Sequence, residues 1–203
     1  MISPWPPTFE PLRPFPRGHQ QTLAAYCPWT WQRAGQARPH RVPLADGDQV
    51  VLHDDCPGGW RPGDGVALLV PGLGGCHTTP YLVRSAVKLN RRGTRTFRMD
   101  QRGFGSAANL ARWPHHAGRS GDVAAALRAI DRITDGSPTS LVGFSLGGNI
   151  VLKLAGESPD LLPPNLANVM AINPPIDLAA LIAALEHPSN RLYNYYFTRT
   201  VLR

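Results

Sequence analysis

An alternation of short apolar runs with segments of helical period constrains this chain more than any other feature. Residues 66–70 (VALLV) are apolar throughout, as expected for a strand that is buried on both faces of a sheet. Repeated strand and helix units predict an α/β fold with a mainly parallel sheet, right-handed crossovers and helices on both faces. The strand-like runs are 66–70, 94–100, 139–144 and 166–173, and the helix-like segments are 81–93, 121–133, 146–156 and 177–187.

The segment before this alternation has a different character. Residues 1–41 are rich in proline and tryptophan and show no sustained strand or helix period. From residue 42 the pattern changes, and residues 49–56 (QVVLHDDC) alternate like a strand. Because 203 residues are enough for one domain with a substantial core, we expect an N-terminal arm over 1–41 and an α/β domain over 42–203.

Charge and hydropathy exclude several classes of partner. The net charge is +7, but the arginines are scattered and no basic run alternates with aromatic residues, so nucleic-acid binding is not expected. The longest candidate for a membrane span starts at Leu166 and is interrupted by asparagine, proline and aspartate, so no transmembrane helix is expected. The N-terminus also lacks the basic cluster and unbroken apolar stretch of a signal peptide.

The cysteines indicate the redox compartment. Cys27, Cys56 and Cys76 are far apart and form neither a C-x-x-C pair nor a metal-like spacing. We interpret them as free thiols in a reducing compartment and predict a cytoplasmic protein. Neither a metal nor another cofactor is expected, and the sequence does not indicate an oligomeric state.

A serine between two glycines stands where a predicted strand meets a predicted helix. Gly143, Ser145 and Gly147 fit the pattern G-x-S-x-G, and this turn joins the run 139–144 to the segment 146–156. In so tight a turn side chains at 143 and 147 would collide, and the serine must take a strained backbone conformation to project its hydroxyl above the sheet. The pattern therefore predicts a nucleophile, although it also fits a plain turn in which the serine caps the helix.

Two backbone N–H groups are candidates for stabilising an oxyanion beside Ser145. Leu146 begins the predicted helix, where N–H groups have no intrahelical partner. The loop PGLGGC (71–76) follows the strand 66–70, and its glycines allow the N–H of Leu73 to approach the same point. These glycines also fit an ordinary turn without a catalytic role.

The same loop supports a second interpretation, a dinucleotide-binding module. The stretch GLGGCH follows a strand and precedes a helix, and Asp100 ends the next strand, where an acid that binds ribose could stand. However, His77 occupies the third glycine position of that motif, and this interpretation leaves the serine turn unexplained. We therefore favour the nucleophile.

Several motifs occur together in one order along the chain. They are RGHQQT (17–22), PGLGG (71–75), QRGFGS (101–106), HHAG (115–118) followed by Asp122, GFSLGGN (143–149) and NPPIDL (173–178). With them the chain resembles the α/β hydrolases, and more narrowly the YheT-like (AB hydrolase type 4) family, over nearly its whole length. The resemblance implies an α/β-hydrolase fold and a serine hydrolase acting on small-molecule or lipid-like carboxylic esters. It also implies Ser145 as nucleophile, with Leu73 and Leu146 as oxyanion donors; an acyltransferase is chemically adjacent.

The resemblance further implies a triad acid and histidine on loops after later strands, beyond an inserted cap. Residues 191–203 resemble the entrance to that cap. We therefore expect that the chain is a fragment without the last strands, and that it is inactive or only trace-active. The strand at 166–173 would then be an uncovered apolar edge. A chain that keeps the fold without the triad could instead be a non-catalytic interaction domain.

Other histidines within the chain are poor substitutes for the missing base. About 15 Å of helix separates His187 from Asp177, so we expect a helix cap for Asp177 and a favourable charge at a helix C-terminus for His187. One of His115 and His116 is expected to order its loop. The remaining histidines show no paired acid at a suggestive spacing and are expected at surface or loop positions; they are His19, His40, His53 and His77.

Overall fold

The computed structural model describes residues 10–11, 13–25, 35–157, 160 and 162–202. Its strands are β1 (Arg38–Pro43), β2 (Gln49–Asp55), β3 (Val66–Val70), β4 (Arg95–Asp100), β5 (Thr139–Phe144) and β6 (Leu166–Ile172). Its α-helices are α1 (Gly18–Ala25), α2 (Pro80–Asn90), α3 (Ser120–Ile133), α4 (Leu146–Glu157), α5 (Leu178–Glu186) and α6 (Arg191–Val201). Short 3₁₀ turns follow at Gly105–Ala107 and Pro188–Asn190.

The strands form one mixed sheet in the order β1-β2-β4-β3-β5-β6. The strands β4, β3, β5 and β6 run parallel, whereas β1 and β2 are antiparallel to their neighbours. This topology confirms the predicted α/β fold with a mainly parallel sheet. The alternation of strands and helices was sufficient to predict it, because each crossover helix returns the chain to the end of the sheet where the previous strand began, so the next strand runs parallel to it.

Strand β3 shows how the sheet is buried on both faces. Its five residues are each at most 2% exposed. Val66, Leu68 and Val70 join the larger core, which α3 and α4 cover, while Ala67 and Leu69 pack under α2 on the opposite face. Alternate side chains of a strand point to opposite faces, so an unbroken apolar run is what a doubly covered strand requires.

Strand β1 is an element that the sequence patterns did not indicate. It lies on both sides of residue 41, where the arm was predicted to end, and it pairs with β2 at the edge of the sheet. Two of its six residues are prolines and only Val42 is buried, which is typical of an edge strand. Residues 1–9, 12 and 26–34 of the predicted arm lie outside the described residues. In the described part, helix α1 contacts α6, with His19 Nδ1 3.1 Å from Tyr193 Oη.

Strand β6 forms the opposite edge of the sheet, and one of its faces is open. Met170 and Ile172 are 57% and 36% exposed. An apolar groove of about 500 Å³ runs beside them, between α2 and β6. The expected uncovered apolar edge is therefore present in the described part of the chain. Within the same residues, no helix has the length and apolar character needed to cross a membrane.

Candidate active site

Ser145 occupies the turn between β5 and α4, at the carboxyl end of the parallel strands. Its φ is +50°, in the left-handed region that costs energy for a residue with a side chain. The turn is held on both sides, because the Ser145 N–H donates to the carbonyl of Ile172 at 2.9 Å and the Asn149 N–H donates to the carbonyl of Ser145 at 3.1 Å. The side chain is exposed. The strained, exposed serine that the sequence predicts is therefore present.

The two flanking glycines are required by backbone contacts. A Cβ at Gly143 would lie 2.7 Å from the carbonyl carbon of Gly147. A Cβ at Gly147 would lie 2.7 Å from the carbonyl oxygen of Val70, at the end of the neighbouring strand. The sequence predicted a collision between side chains at 143 and 147 themselves. The structure shows instead that each side chain would strike backbone, which cannot move aside.

The loop between β3 and α2 packs directly against this turn. A Cβ at Gly72 would lie only 3.0 Å from the Cβ of Ser145. The Gly72 N–H is already used, because it donates to Tyr81 Oη at 3.0 Å. Among the described residues, the N–H groups of Leu73 and Leu146 have no hydrogen-bond partner. Both predicted oxyanion donors are thus unoccupied and lie on the two segments that meet at Ser145.

A cavity of about 340 Å³ opens at the serine. Its walls are largely apolar and aromatic, and α6 contributes Phe197 to them. The lining residues are Gly72, Leu73, Tyr81, Phe144, Ser145, Ile172, Asn173 and Phe197. In the part of the chain that the structure describes, this lining contains no histidine and no carboxylate.

The candidate acids and bases beyond Ser145 have other roles. Asp177 is the N-cap of α5, and its carboxylate accepts the Ala180 N–H at 2.9 Å. His187 ends α5, and its Nδ1 lies 2.8 Å from Ser189 Oγ. These contacts match the capping role expected for Asp177 and show no pair between the two residues.

Neither histidine of the HHAG motif lines the cavity at Ser145. His115 lies edge-on to Phe104 with ring centroids 6.0 Å apart, and both of its ring nitrogens are buried without a hydrogen-bond partner in the described part of the chain. Burial lowers the pKa of His115 to about 4, so the ring is neutral at pH 7. His116 accepts the Gly118 N–H at 3.1 Å and so orders its own loop, as expected for one member of the pair.

Three of the other histidines have a paired acid that their sequence spacing did not indicate. His40 Nε2 lies 3.1 Å from Asp54, His53 Nε2 lies 3.0 Å from Asp100, and His77 Nδ1 lies 2.8 Å from the same Asp100. The surface or loop position expected for His40 and His53 is wrong, because they lie in strands β1 and β2 and His53 is buried, whereas His77 does lie in a loop. Sequence spacing hid these pairs, because residues 53 and 100 are 47 positions apart and meet only through the pairing of β2 with β4.

A signal for the second pair was nevertheless present in the sequence. Polar residues alternate along β4, at 96, 98 and 100, and β2 ends in three consecutive polar residues, 53–55. In the structure His53 pairs with Arg98, and Asp55 with Thr96, so these side chains share one face of the sheet. The period-2 polarity of β4, together with the polar end of β2, indicated a polar cluster on the sheet.

Asp100 does not have the position of a ribose-binding acid. It is fully buried and accepts hydrogen bonds from two histidine rings and from the N–H groups of His77 and Ser106. Burial alone would raise the pKa of Asp100, but these four hydrogen-bond donors together hold it below its ordinary value. The dinucleotide interpretation therefore has no available acid in this loop.

Comparisons with known proteins agree with this geometry. Residues 66–202 match the model of the family described as alpha/beta hydrolase fold. YheT of Escherichia coli (strain K12), an esterase by name, is 29% identical over 196 residues, which are 93% of this chain and 54% of YheT. Phospholipase ABHD3 of Mus musculus is 24% identical over 84% of this chain and 46% of its own length. The chain thus spans about half the length of these two relatives.

Solved structures share the architecture. An alpha-beta serine hydrolase homologue from Coxiella burnetii superposes with a TM-score of 0.57 and 20% identity, over 75% of this chain and 70% of its own. The esterase Pf2001 of Pyrococcus furiosus gives a TM-score of 0.62 and 15% identity, over 81% and 61%. Identities this low show the fold alone. Together with the family model, the serine turn and the likeness to YheT, they establish that the chain belongs to the α/β hydrolase fold family.

Proposed function

We propose that Ser145 is the nucleophile of a serine hydrolase that cleaves carboxylic esters. The observation that carries the proposal is the setting of this serine, which is exposed in a strained turn at a cavity of about 340 Å³. Strain of this kind persists only where the surrounding structure imposes it, and it is concentrated at functional sites. A serine that merely capped α4 would not need glycines on both sides.

The chemistry follows from the groups around the hydroxyl. Ser145 Oγ attacks the ester carbonyl, and the N–H groups of Leu73 and Leu146 stabilise the negative oxygen of the tetrahedral intermediate. Collapse of that intermediate expels the alcohol and leaves an acyl-enzyme, which water then hydrolyses. Each oxyanion donor contributes a factor of about 10² to 10³ in rate.

The substrate is a small-molecule or lipid-like ester with an apolar acyl group. Leu73, Phe144, Ile172 and Phe197 line the cavity beside the serine, and such walls favour an apolar chain over a charged one. The name of the mouse relative, a phospholipase, supports a lipid-like ester for this chain too. An alcohol acceptor in place of water would make the same acyl-enzyme an acyltransferase.

The group that removes the proton from Ser145 does not line the cavity in the described residues. Loss of the triad histidine costs on the order of 10⁶ in turnover in a model serine protease. We therefore expect the 203-residue chain to hydrolyse esters at a trace rate at most. The same observation favours a second candidate, a non-catalytic domain that binds esters without cleaving them.

Covalent labelling separates the two candidates. The purified chain is incubated for several hours with a fluorophosphonate probe, and the labelled peptide is identified by mass spectrometry. We expect modification of Ser145, no modification of Ser145→Ala, and unchanged modification of Ser140→Ala, a serine on the preceding strand. A folded chain that binds an ester in the cavity but stays unlabelled at Ser145 would identify the non-catalytic domain.

The cytoplasmic location stays a prediction, with Cys56 and Cys76 free in the described structure.

A further inference from the structure

The loop that carries Leu73 is fastened at both ends. Near Ser145, the Gly72 N–H donates to Tyr81 Oη at 3.0 Å, and the Gly75 N–H donates to the Gly72 carbonyl at 3.0 Å. At the other end, His77 is bound to Asp100 by its backbone and its side chain together. The His77 N–H lies 2.6 Å from Asp100 Oδ1, and its Nδ1 lies 2.8 Å from Asp100 Oδ2.

Asp100 joins this loop to two other segments. Its Oδ2 accepts His53 Nε2 at 3.0 Å from strand β2 and the Ser106 N–H at 2.7 Å from the RGFGS loop. Gly105 has a φ of +55° and faces the carboxylate, where a Cβ would lie 2.5 Å from its carbon. Gly105 thus leaves room for the Asp100 carboxylate, and Ser106 binds it through its N–H. These two contacts give the RGFGS motif a physical role.

Arg98 strengthens the same attachment. Its side chain is 1% exposed and makes a double ion pair with Asp55, at 2.7 and 3.2 Å. The remaining guanidinium nitrogen donates to the carbonyl of His77. The N–H, ring and carbonyl of His77 are therefore all bound, whereas the N–H of Leu73, four residues earlier, has no hydrogen-bond partner among the residues that the structure describes.

A metal ion is a poor alternative explanation for this cluster. His53, His77 and Asp100 offer three ligand atoms within 4.8 Å of one another. The two imidazole rings, however, are stacked 3.5 Å apart and inclined by only 8°. A metal must lie near the plane of each ring that binds it, at about 2 Å from the nitrogen, and two parallel planes 3.5 Å apart do not allow this.

We infer that His53, Asp100 and His77 form a positioning cluster that holds the Leu73 N–H at the oxyanion site. The inference rests on the proposed function of Ser145. Neither histidine acts as the base, because neither lines the serine cavity. The cluster holds the His77 end of the loop against the sheet. Because only four residues separate His77 from Gly72, the position of His77 limits where the Leu73 N–H can lie. Misplacement of such a donor by about 1 Å costs about 10²-fold in rate.

The test compares three single variants of the 203-residue chain. His77→Ala removes the ring hydrogen bond, His77→Asn keeps an N–H donor near the position of Nδ1, and His40→Ala removes the matched pair with Asp54 on β1 and β2. The measurements are the fluorophosphonate labelling rate of Ser145, the melting temperature, and backbone hydrogen exchange of residues 72–77. We expect His77→Ala to label about 10- to 100-fold more slowly and to exchange faster over 72–77.

The other two variants decide whether the effect is one of position. His77→Asn is expected to recover most of the labelling rate, and His40→Ala to label like the parent chain even if its melting temperature falls equally. Equal labelling and exchange in His77→Ala and the parent would overturn the inference. If the parent chain itself is not labelled, the proposed function fails, and hydrogen exchange alone then tests whether the cluster orders the loop. Zinc-dependent stabilisation of the parent that His77→Ala abolishes would replace positioning by metal binding.

Discussion

The two flanks of the sheet differ in how they are completed. On the β2 and β4 side, buried charges are matched by oppositely charged partners, as with Arg102, which is 3% exposed and binds Asp46, Asp48 and Asp122. On the β6 side, apolar residues face an open groove. Ser145 lies between these flanks, next to β3. The loop that carries Leu73 is therefore anchored to the side of the sheet with paired charges, the completed flank, whereas the cavity wall at Ile172 belongs to the open flank at β6.

We expect the largest loss of stability from a substitution in the buried charge network of the completed flank. Arg102→Met leaves three carboxylates without their common partner, and removal of one member of a buried ionic group costs about 3–5 kcal/mol. The control is Arg119→Met, because Arg119 is more exposed and reaches Asp46 only at 3.6 Å. Its loss should cost about 0–1 kcal/mol. Urea unfolding measures both, and equal losses would show that the flank is not held by Arg102.

Gly72→Ala tests whether the loop after β3 and the serine turn, which meet between the two flanks, depend on each other. The new Cβ would lie 3.0 Å from the Cβ of Ser145 and 3.3 Å from the carbonyl oxygen of Phe144. Overpacking of this kind costs about 1–3 kcal/mol, and the displaced loop should also slow labelling of Ser145. Gly58→Ala is the control, since no atom lies within 4 Å of its Cβ position. Undiminished labelling in Gly72→Ala would show that loop and serine turn move independently.

Low pH is expected to destabilise the completed flank, because the Asp100 carboxylate lies there. Hydrogen bonds hold the pKa of Asp100 below its ordinary value of 3.8, despite burial. The folded protein therefore binds the Asp100 proton more weakly than the unfolded chain does, so the stabilisation is present above about pH 4 and is lost as the pH falls below it.

Urea unfolding measured between about pH 3 and pH 7 checks this sign. The free energy of unfolding should fall more steeply toward low pH in the parent chain than in Asp100→Asn, whose amide does not titrate. The other carboxylates are common to both proteins and cancel in the difference. Parallel curves would show that Asp100 contributes nothing to acid sensitivity.

The smallest change in stability is expected on the open flank. Met170 is 57% exposed, so Met170→Lys should change the free energy of unfolding by at most about 0.5 kcal/mol. It should reduce self-association, because a charge on an edge strand opposes pairing with another chain. Light scattering against concentration measures this. Val169→Lys is the control, since Val169 packs against the core and its replacement should destabilise the fold.

Much of the fold and part of the site could be predicted from local patterns. The apolar run of β3 and the helices on either side of β5 follow from periodicity, because a strand or helix that is buried on one or two faces carries apolar residues at regular positions in the sequence. The serine turn follows likewise, since Gly143, Ser145 and Gly147 are close in sequence. Strand β1 was missed because an edge strand with two prolines carries little apolar pattern.

The sequence by itself determined the order of strands and helices, the strained serine and the glycines that allow it, since each depends on contacts between residues near in the chain or on the period of an element. Only the tertiary structure decided which charges are paired. His53, His77 and Asp100 come from three segments that meet because β2 pairs with β4 and the loop after β3 crosses their ends. The strength of such pairs depends on distance and burial, and neither is encoded in sequence spacing.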